Sequence, residues 1–371
     1  MDLVKLFSFH FNFFRFFGIC IHTPLMSWRV KFFAISSSIF GIVYTTIFPL
    51  IVYLVNKPSR GIEIITFTEG IGLFVTHFIV NVETLCTRNQ QLNFWVIVDK
   101  IEKQYTTKEL EGIKRNYVSC RKMFDQKMWI LLAISIGIEI ILLYILLTHR
   151  YSREQVIEDV PTWSVYIFSV MVGKVRHLSH LLVIDILKIH LEIFNNSLVE
   201  FKENLKAFDH EALIGKLNSV KFRHTLLWEL GRNINDCYQW SQLSNICINF
   251  LQFTSICYYI YFHVAIGSYE LITPIVILLI PIGSHNFVLM KTSDDLQVEA
   301  QKTPHLLQNI LHKEKAFLSS LIKSFIVDLS LQMHHERIFI SIGKIFIVNL
   351  GLLTIIIGTV ATYIVIFIQF F

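Results

Sequence analysis

Polar side chains are scarce in the C-terminal segment Ile345–Phe371, so their placement decides what the segment can do. On a helix advancing about 100° per residue, with Gly351 at zero, Thr354 falls near 300°, Val365 near 320°, Gly358 near 340°, Gln369 near 0° and Thr362 near 20°. Gly351, Thr354, Gly358, Thr362 and Gln369 therefore share one narrow face, and Ile and Phe cover most of the rest. A glutamine amide facing acyl chains would leave its hydrogen-bonding groups unpaired at a cost of several kcal/mol, so this face must meet protein or water. Two uses are open. Small residues let helices approach closely. Alternatively, several copies around an axis would wet a pore with threonine hydroxyls and glutamine amides. The stripe carries no acidic residue, so any selectivity would rest on hydroxyls, amides and backbone dipoles.

A second group of residues could hold a small molecule. Glu69 lies well inside an apolar run with Thr66 and Thr76 on its face. An ionised carboxylate there costs about 2.5–3.5 kcal/mol unless it turns inward. It can pair with Lys174 or Arg176, or line a pocket, and Glu139 poses the same question. Glu63 is a further carboxylate candidate, and Tyr53, Tyr144, Trp163, Tyr166 and the run Tyr258-Tyr259-Ile260-Tyr261-Phe262-His263 supply aromatic faces with polar tips, which suit small organic ligands. The same residues could form an interfacial aromatic belt. His177 and His180 stand three apart, but a membrane di-iron enzyme needs several histidine boxes and no second one follows. They are read as interior polar residues rather than metal ligands. No motif calls for a cofactor or for an enzymatic activity.

These residues need a scaffold, and its solvent is lipid. Of 371 residues 53% are hydrophobic and 16% charged, with 32 Phe; soluble domains run at about 25% charged. The mean hydropathy is +0.54. The net charge of +5 is not gathered into a nucleic-acid patch, and no zinc-type Cys/His spacing occurs. A bilayer core takes about 20 helical residues to cross. Suitable runs are Phe32–Val55, Ile62–Leu85, Met128–Leu147, Trp163–Leu187, Leu243–Ala265, Leu271–Leu289 and Ile345–Phe371. The N-terminal stretch Phe11–Cys20, interrupted by Arg15, reads as an amphipathic segment leading into the membrane rather than a signal peptide.

Lys and Arg outside these runs number 27 on one set of alternate segments and 4 on the other. The positive-inside rule then places the N-terminus in the cytoplasm and the C-terminus outside. That orientation is the inverse of a G-protein-coupled receptor. It puts all six cysteines in spans or cytoplasmic segments, where disulfides are not expected, and leaves Asn195-Asn196-Ser197 unglycosylated. Three cytoplasmic stretches are long: Cys86–Lys127, Lys188–Gln242 and Met290–Lys344. Within them, Leu205–Leu230 and Ala316–Ile340 read as amphipathic helices, the latter with Phe317, Leu318, Leu321, Phe325, Val327, Leu329 and Leu331 as its apolar residues. The fold expected is an all-α membrane protein in one unit, with helices extending into the cytoplasm. No internal repeat is visible, which counts against a secondary transporter, although Pro274 and Pro281 could break the sixth span.

The ending Thr362-Tyr363-Ile364-Val365-Ile366-Phe367-Ile368-Gln369-Phe370 resembles the TYhhhhhQF signature (h, hydrophobic) that closes insect gustatory receptors. Residues Ser330-Leu331-Gln332 through Lys344-Ile345-Phe346 resemble that family's lead-in to its last helix. The resemblance implies a ligand-gated cation channel of four subunits, homomeric or heteromeric, around the seventh helix. Cytoplasmic extensions of spans four to seven, here within 188–242 and 290–344, would form an anchor domain. Each subunit would bind a small-molecule tastant among spans one to six. The motif places Gln369 and Phe370 at the gate and turns Tyr363 towards neighbouring helices. Sugar-sensing members carry Glu after the Tyr, so Ile364 points away from a sugar and towards a bitter or otherwise divergent ligand. The location implied is the plasma membrane of a sensory neuron dendrite. An olfactory-type subunit needing a co-receptor is a neighbouring reading.

Overall fold

The computed structural model describes residues 3–24, 26–55, 61–149, 153–205, 208–267, 269, 272–313 and 319–370. The chain opens with α1 (Leu3–Leu6) and α2 (Ser8–Phe16). Phe7, Phe11 and Phe14, spaced to share a helical face, are all buried. Phe11 meets the edge of Trp95 at 5.5 Å, and His10 bonds Asp125 at 2.5 Å. This segment is thus packed against the bundle as well as amphipathic. Arg15 caps the turn that follows by donating to the Ile21 carbonyl at 2.9 Å.

The first six apolar runs lie, where they are described, in helices or broken pairs of helices. The first is in α3 (Trp28–Val55) and the second in α4 (Gly61–Cys86). A 59° bend at Thr87 then leads into α5 (Arg88–Lys103). The third lies in α6 (Thr107–His149), the fourth in α7 (Arg153–Glu203) and the fifth in α8 (His210–Ala265). The 56 residues of α8 span about 84 Å at 1.5 Å per residue, far beyond a bilayer core of about 30 Å. The surplus on α6, α7 and α8 replaces most of what read as connecting loops. The sixth run is interrupted at Leu278 between α9 (Ile272–Ile277) and α10 (Leu279–Lys313). Pro281 explains the break: it has no N–H to donate, and its ring crowds the carbonyl of Ile277 four residues back.

One continuous apolar core runs the length of α7, α8 and α10, through Leu181, Phe194, Leu227, Leu289 and Leu307 among others. α11 (Ser320–His335) covers its far end with Ile322, Ile326, Leu329 and Met333. This corrects the helix expected over Ala316–Ile340. Residues 314–318 lie outside those described, and Ser319 caps the helix by accepting from the Ile322 N–H. Of the apolar residues proposed for its buried face, Leu321, Val327 and Leu331 are exposed. The mixed pattern gave no unique face, and the i, i+4, i+7, i+11 set won.

The last span also starts later than its hydropathy suggested. Ser341–Ile342 (β1) pairs antiparallel with Phe346–Ile347 (β2) around a turn in which Gly343 and Lys344 both have φ of 59°. The Asn235 amide of α8 pins this hairpin, donating to the Phe339 carbonyl and accepting from the Ser341 N–H, each at 3.0 Å. Asn349 caps α12 (Leu350–Phe370) by accepting from the Leu352 N–H at 3.0 Å. Residues Ile345–Asn349 are thus strand and cap rather than the start of the seventh helix.

Candidate pore helix and ligand pocket

α12 rests on α8 and α10 through the buried Leu352 and Val360, with Leu353, Ile356 and Ile364 partly covered. These residues centre near 170° on the helical wheel used above. Gly351, Thr354, Gly358, Thr362, Val365 and Gln369 are all exposed, on the opposite side. A Cβ added at Gly358 would meet nothing within 4 Å. The stripe therefore makes no packing contact within its own chain at Gly358. The Thr354 and Thr362 hydroxyls donate back to the carbonyls of Leu350 (3.3 Å) and Gly358 (3.0 Å), which satisfies their protons inside the helix. The unmet demand for a polar neighbour falls on the exposed Gln369. Tyr363, off the stripe, lies edge-on to Phe250 of α8 at 5.8 Å. The Phe370 side chain lies outside the described residues.

Among the ligand candidates, the side chains of Tyr53, Glu63, Thr66 and Trp163 also lie outside the described residues. Glu69 and Tyr166 are brought together. Tyr166 packs over Gly70, where a Cβ would stand 3.7 Å from its ring, and hydrogen-bonds Gln252. Ser255 hydrogen-bonds the Glu69 carboxylate, whose Oε1 is buried without a partner. Tyr259 and Glu139 approach Tyr166 closely enough to interact electrostatically, and Glu139 faces Lys174. The cluster thus draws on α4, α6, α7 and α8.

Relative to Ser255, Tyr259 lies near 40° on α8, whereas Tyr261 falls near 240° and His263 near 80°. Tyr258, Tyr261 and His263 are half-buried, and His263 packs edge-on to Phe262. Tyr144 lies exposed on α6. Gln252 and Ser255 were missed in the sequence, and Tyr259 was named only as part of the aromatic run. Their spacing of three and four is the face argument used for α12, obscured here by the neighbouring tyrosines.

Next to this cluster the polar contacts continue. His77 bonds Ser169 at 3.0 Å, Asn249 bonds Asn286 at 3.1 Å, and Ser135 bonds His285 at 3.0 Å. A void lined by Thr76, Lys174, His177, Asn245 and Gln252 leaves about 20 Å³, room for a water and not for an organic ligand. His177 and His180 are buried as interior polar residues; His180 stacks on Tyr238 at 4.5 Å. Among the described residues no group of His, Cys, Asp and Glu is arranged to hold a metal.

Arg176 pairs with neither Glu69 nor Glu139 but with Glu83, at 2.9 Å. Their side chains are 1% and 3% exposed. Arg176 also donates to the Cys237 carbonyl (2.6 Å) and Ser241 Oγ (3.0 Å) and lies 4.0 Å above the Tyr238 ring. Glu83 accepts from the backbone N–H groups of Trp240 (2.7 Å) and Ser241 (3.2 Å). Ser241 N–H and Cys237 C=O are the i and i−4 ends of one rung of α8, so the ion pair engages both ends of that rung.

Below the spans, His190 is held between the hydroxyls of Tyr105 (3.0 Å) and Tyr117 (2.9 Å), and Tyr117 donates to Glu102 at 2.8 Å. Burial pushes His190 down to about 3, with the nearby Arg223 adding to the effect. This knot ties α5 and α6 to α7.

Residues 7–370 match the family described as 7tm Chemosensory receptor. A Drosophila melanogaster protein described as "Putative gustatory receptor 2a" is 22% identical over 338 residues, covering 82% of this chain and 78% of its own. The insect olfactory receptor OR5 from Machilis hrabei superposes with a TM-score of 0.77 at 14% identity, over 100% of both chains. The same receptor in complex with eugenol gives 0.75 at 12% identity, again over 100% of both. With a match from the leading segment to the penultimate residue, the chain belongs to the 7tm chemosensory receptor family.

Proposed function

We propose that this chain is a subunit of a ligand-gated, non-selective cation channel acting as a gustatory chemoreceptor. Seven helices cross the plasma membrane with the N-terminus in the cytoplasm and the C-terminus outside. Four subunits, identical or mixed with other receptor chains, place α12 around a common axis, and their cytoplasmic extensions anchor the assembly. A small-molecule tastant binds in the outer half of the bundle near Glu69, Tyr166 and Tyr259, and sensory dendrites are where the protein acts. The observation that carries the reading is the stripe Gly351–Gln369, exposed on the side of α12 opposite its own core. The gustatory relative supports a taste role, the eugenol complex of the olfactory neighbour supports a small organic ligand, and Ile364 disfavours a sugar. The olfactory-type alternative is separated by whether the chain conducts when expressed alone.

Gln369→Ala tests the pore. It should change ion selectivity or pore-block affinity at unchanged surface expression. An unaltered current–voltage relation and block profile would reject the assignment.

A further inference from the structure

Three lysines stand at the cytoplasmic ends of the proposed spans. Lys127 precedes the third apolar run by one residue, Lys188 follows the fourth by one, and Lys291 follows the sixth by two. The fold gathers them around one cleft of about 360 Å³ between α6, α7 and α10. Three carboxylates share it. Lys127 Nζ reaches both oxygens of the buried Asp185 at 3.0 Å, Lys291 lies 2.7 Å from Asp295, and Lys188 stands 3.7 Å from the same residue. Glu192 completes the set. Burial raises its carboxyl despite the nearby lysines, so it would gain from another cation. The chamber is balanced in charge and rich in both donors and acceptors, which fits a zwitterion better than a bare anion.

Its mouth is apolar. Met123 of α6 and Phe287 of α10 line the cleft and are exposed. One heptad on towards the membrane interior, Ile130 and Ile280 continue each stripe and are also exposed. A two-signed chamber opening onto apolar ridges has the shape of a site for an amphiphile at the inner leaflet.

We propose that this cleft binds a phospholipid of the phosphatidylethanolamine type. Its phosphate lies against Lys188 and Lys291, its primary ammonium against Glu192, and its acyl chains along Ile130 and the Phe287–Ile280 ridge. The reading rests on the membrane orientation proposed above but not on the pore or the tastant.

The test is native mass spectrometry of the delipidated full-length receptor in mild detergent. Phosphatidylethanolamine, phosphatidylcholine, phosphatidylglycerol and free O-phosphoethanolamine are titrated separately. Phosphatidylethanolamine should be retained about tenfold more strongly than the other two lipids, the scale of one charge-assisted hydrogen bond, and the free headgroup should not compete. Lys188→Gln/Lys291→Gln should lower the retention of all three lipids, and Glu192→Gln should erase the margin over phosphatidylcholine and phosphatidylglycerol. Both variants should elute at the wild-type volume; if the double variant does not, Lys291→Gln, whose side chain is half exposed, carries the comparison. Equal or tighter binding of phosphatidylglycerol would make this a plain basic patch and overturn the proposal. Competition by O-phosphoethanolamine, or unchanged retention in the lysine variants, would overturn it equally.

Discussion

The Arg176–Glu83 pair offers the sharpest energetic test, because its surroundings fix what each substitution strands. Glu83→Ala removes the partner of a guanidinium that is 99% covered and releases the N–H groups of Trp240 and Ser241. Breaking a buried pair from one side costs about 3–5 kcal/mol, while the two N–H groups keep their carbonyl partners within α8 and add little. Glu83→Ala should therefore destabilise by about 3–5 kcal/mol, a large share of the roughly 5–15 kcal/mol that holds a typical domain folded. Glu83→Gln keeps one acceptor and should cost about 3 kcal/mol. Replacing both residues, as Arg176→Met/Glu83→Met, leaves no lone charge and should cost well under the sum of the single changes. Thermal or denaturant unfolding of the detergent-purified receptor measures all four proteins. A loss below about 1 kcal/mol for Glu83→Ala, or strict additivity in the double variant, would refute the claim that this pair is desolvated and mutually dependent.

Four further outcomes follow from other sites. Because His190 is pushed down to about 3 from an unfolded value near 6.5, its contribution is full above pH 6.5 and lost as pH falls towards 3; lowering pH from 7.5 to 5.5 should cost about 1.4 kcal/mol, and His190→Gln should remove that share of the slope in unfolding measured at both pH values. Gly173→Ala places a methyl 2.9 Å from the Asn245 side-chain oxygen and should destabilise by about 1–3 kcal/mol in the same assay. Glu69→Gln keeps the shape and the bond to Ser255, so it should shift the dose–response for cationic ligands while leaving neutral ones unchanged. Gly358→Leu puts bulk where a Cβ meets nothing in its own chain, so it should leave monomer stability unchanged yet reduce current per surface-expressed receptor.

How much of this was legible depended on how polar residues stood out from their background. In α12 the background is almost purely aliphatic, so five polar or small residues fixed the exposed face, and the structure puts that face opposite Leu352 and Val360. In α8 the polar residues are too many: Ser255, Gln252 and Tyr259 share a face with no clean apolar contrast. Glu83, at the edge of its run, gave no sign that its partner would be Arg176, since the pairing is set by how α4 crosses α7 and α8. Hydropathy likewise could not see that Ile345–Val348 belong to a hairpin held by α8 rather than to the last helix; of the four only Val348 is buried. The long extensions of α6, α7 and α8 were only partly visible, because their exposed faces are ordinary mixed sequence and helix continuity came from packing against one shared core.

One helix accounts for why these pieces belong to a single device. α8 supplies Ser255 to Glu69, Cys237, Tyr238 and Ser241 to the ion pair, Phe250 to Tyr363 of α12, and Asn235 to the hairpin that delivers α12. Ser255 and Phe250 are about 7.5 Å apart along the axis at 1.5 Å per residue, so the pocket cluster and the α12 contact lie little more than one turn from each other. Between Phe250 and Asn235 falls the rung at Cys237–Ser241, whose two ends are engaged by groups from α7 and α4. A helix yields where side chains from its neighbours enter its hydrogen-bond ladder. The C-terminal third of α8 can therefore tilt against the N-terminal part, which the ion pair and the core hold. Such a tilt moves the Phe250 ring against Tyr363 while Asn235 holds the base of α12 in place. The arrangement is asymmetric along the helix: with a small ligand bound at the Glu69–Tyr166 cluster as proposed, that asymmetry would let it work on α12 without unseating the rest.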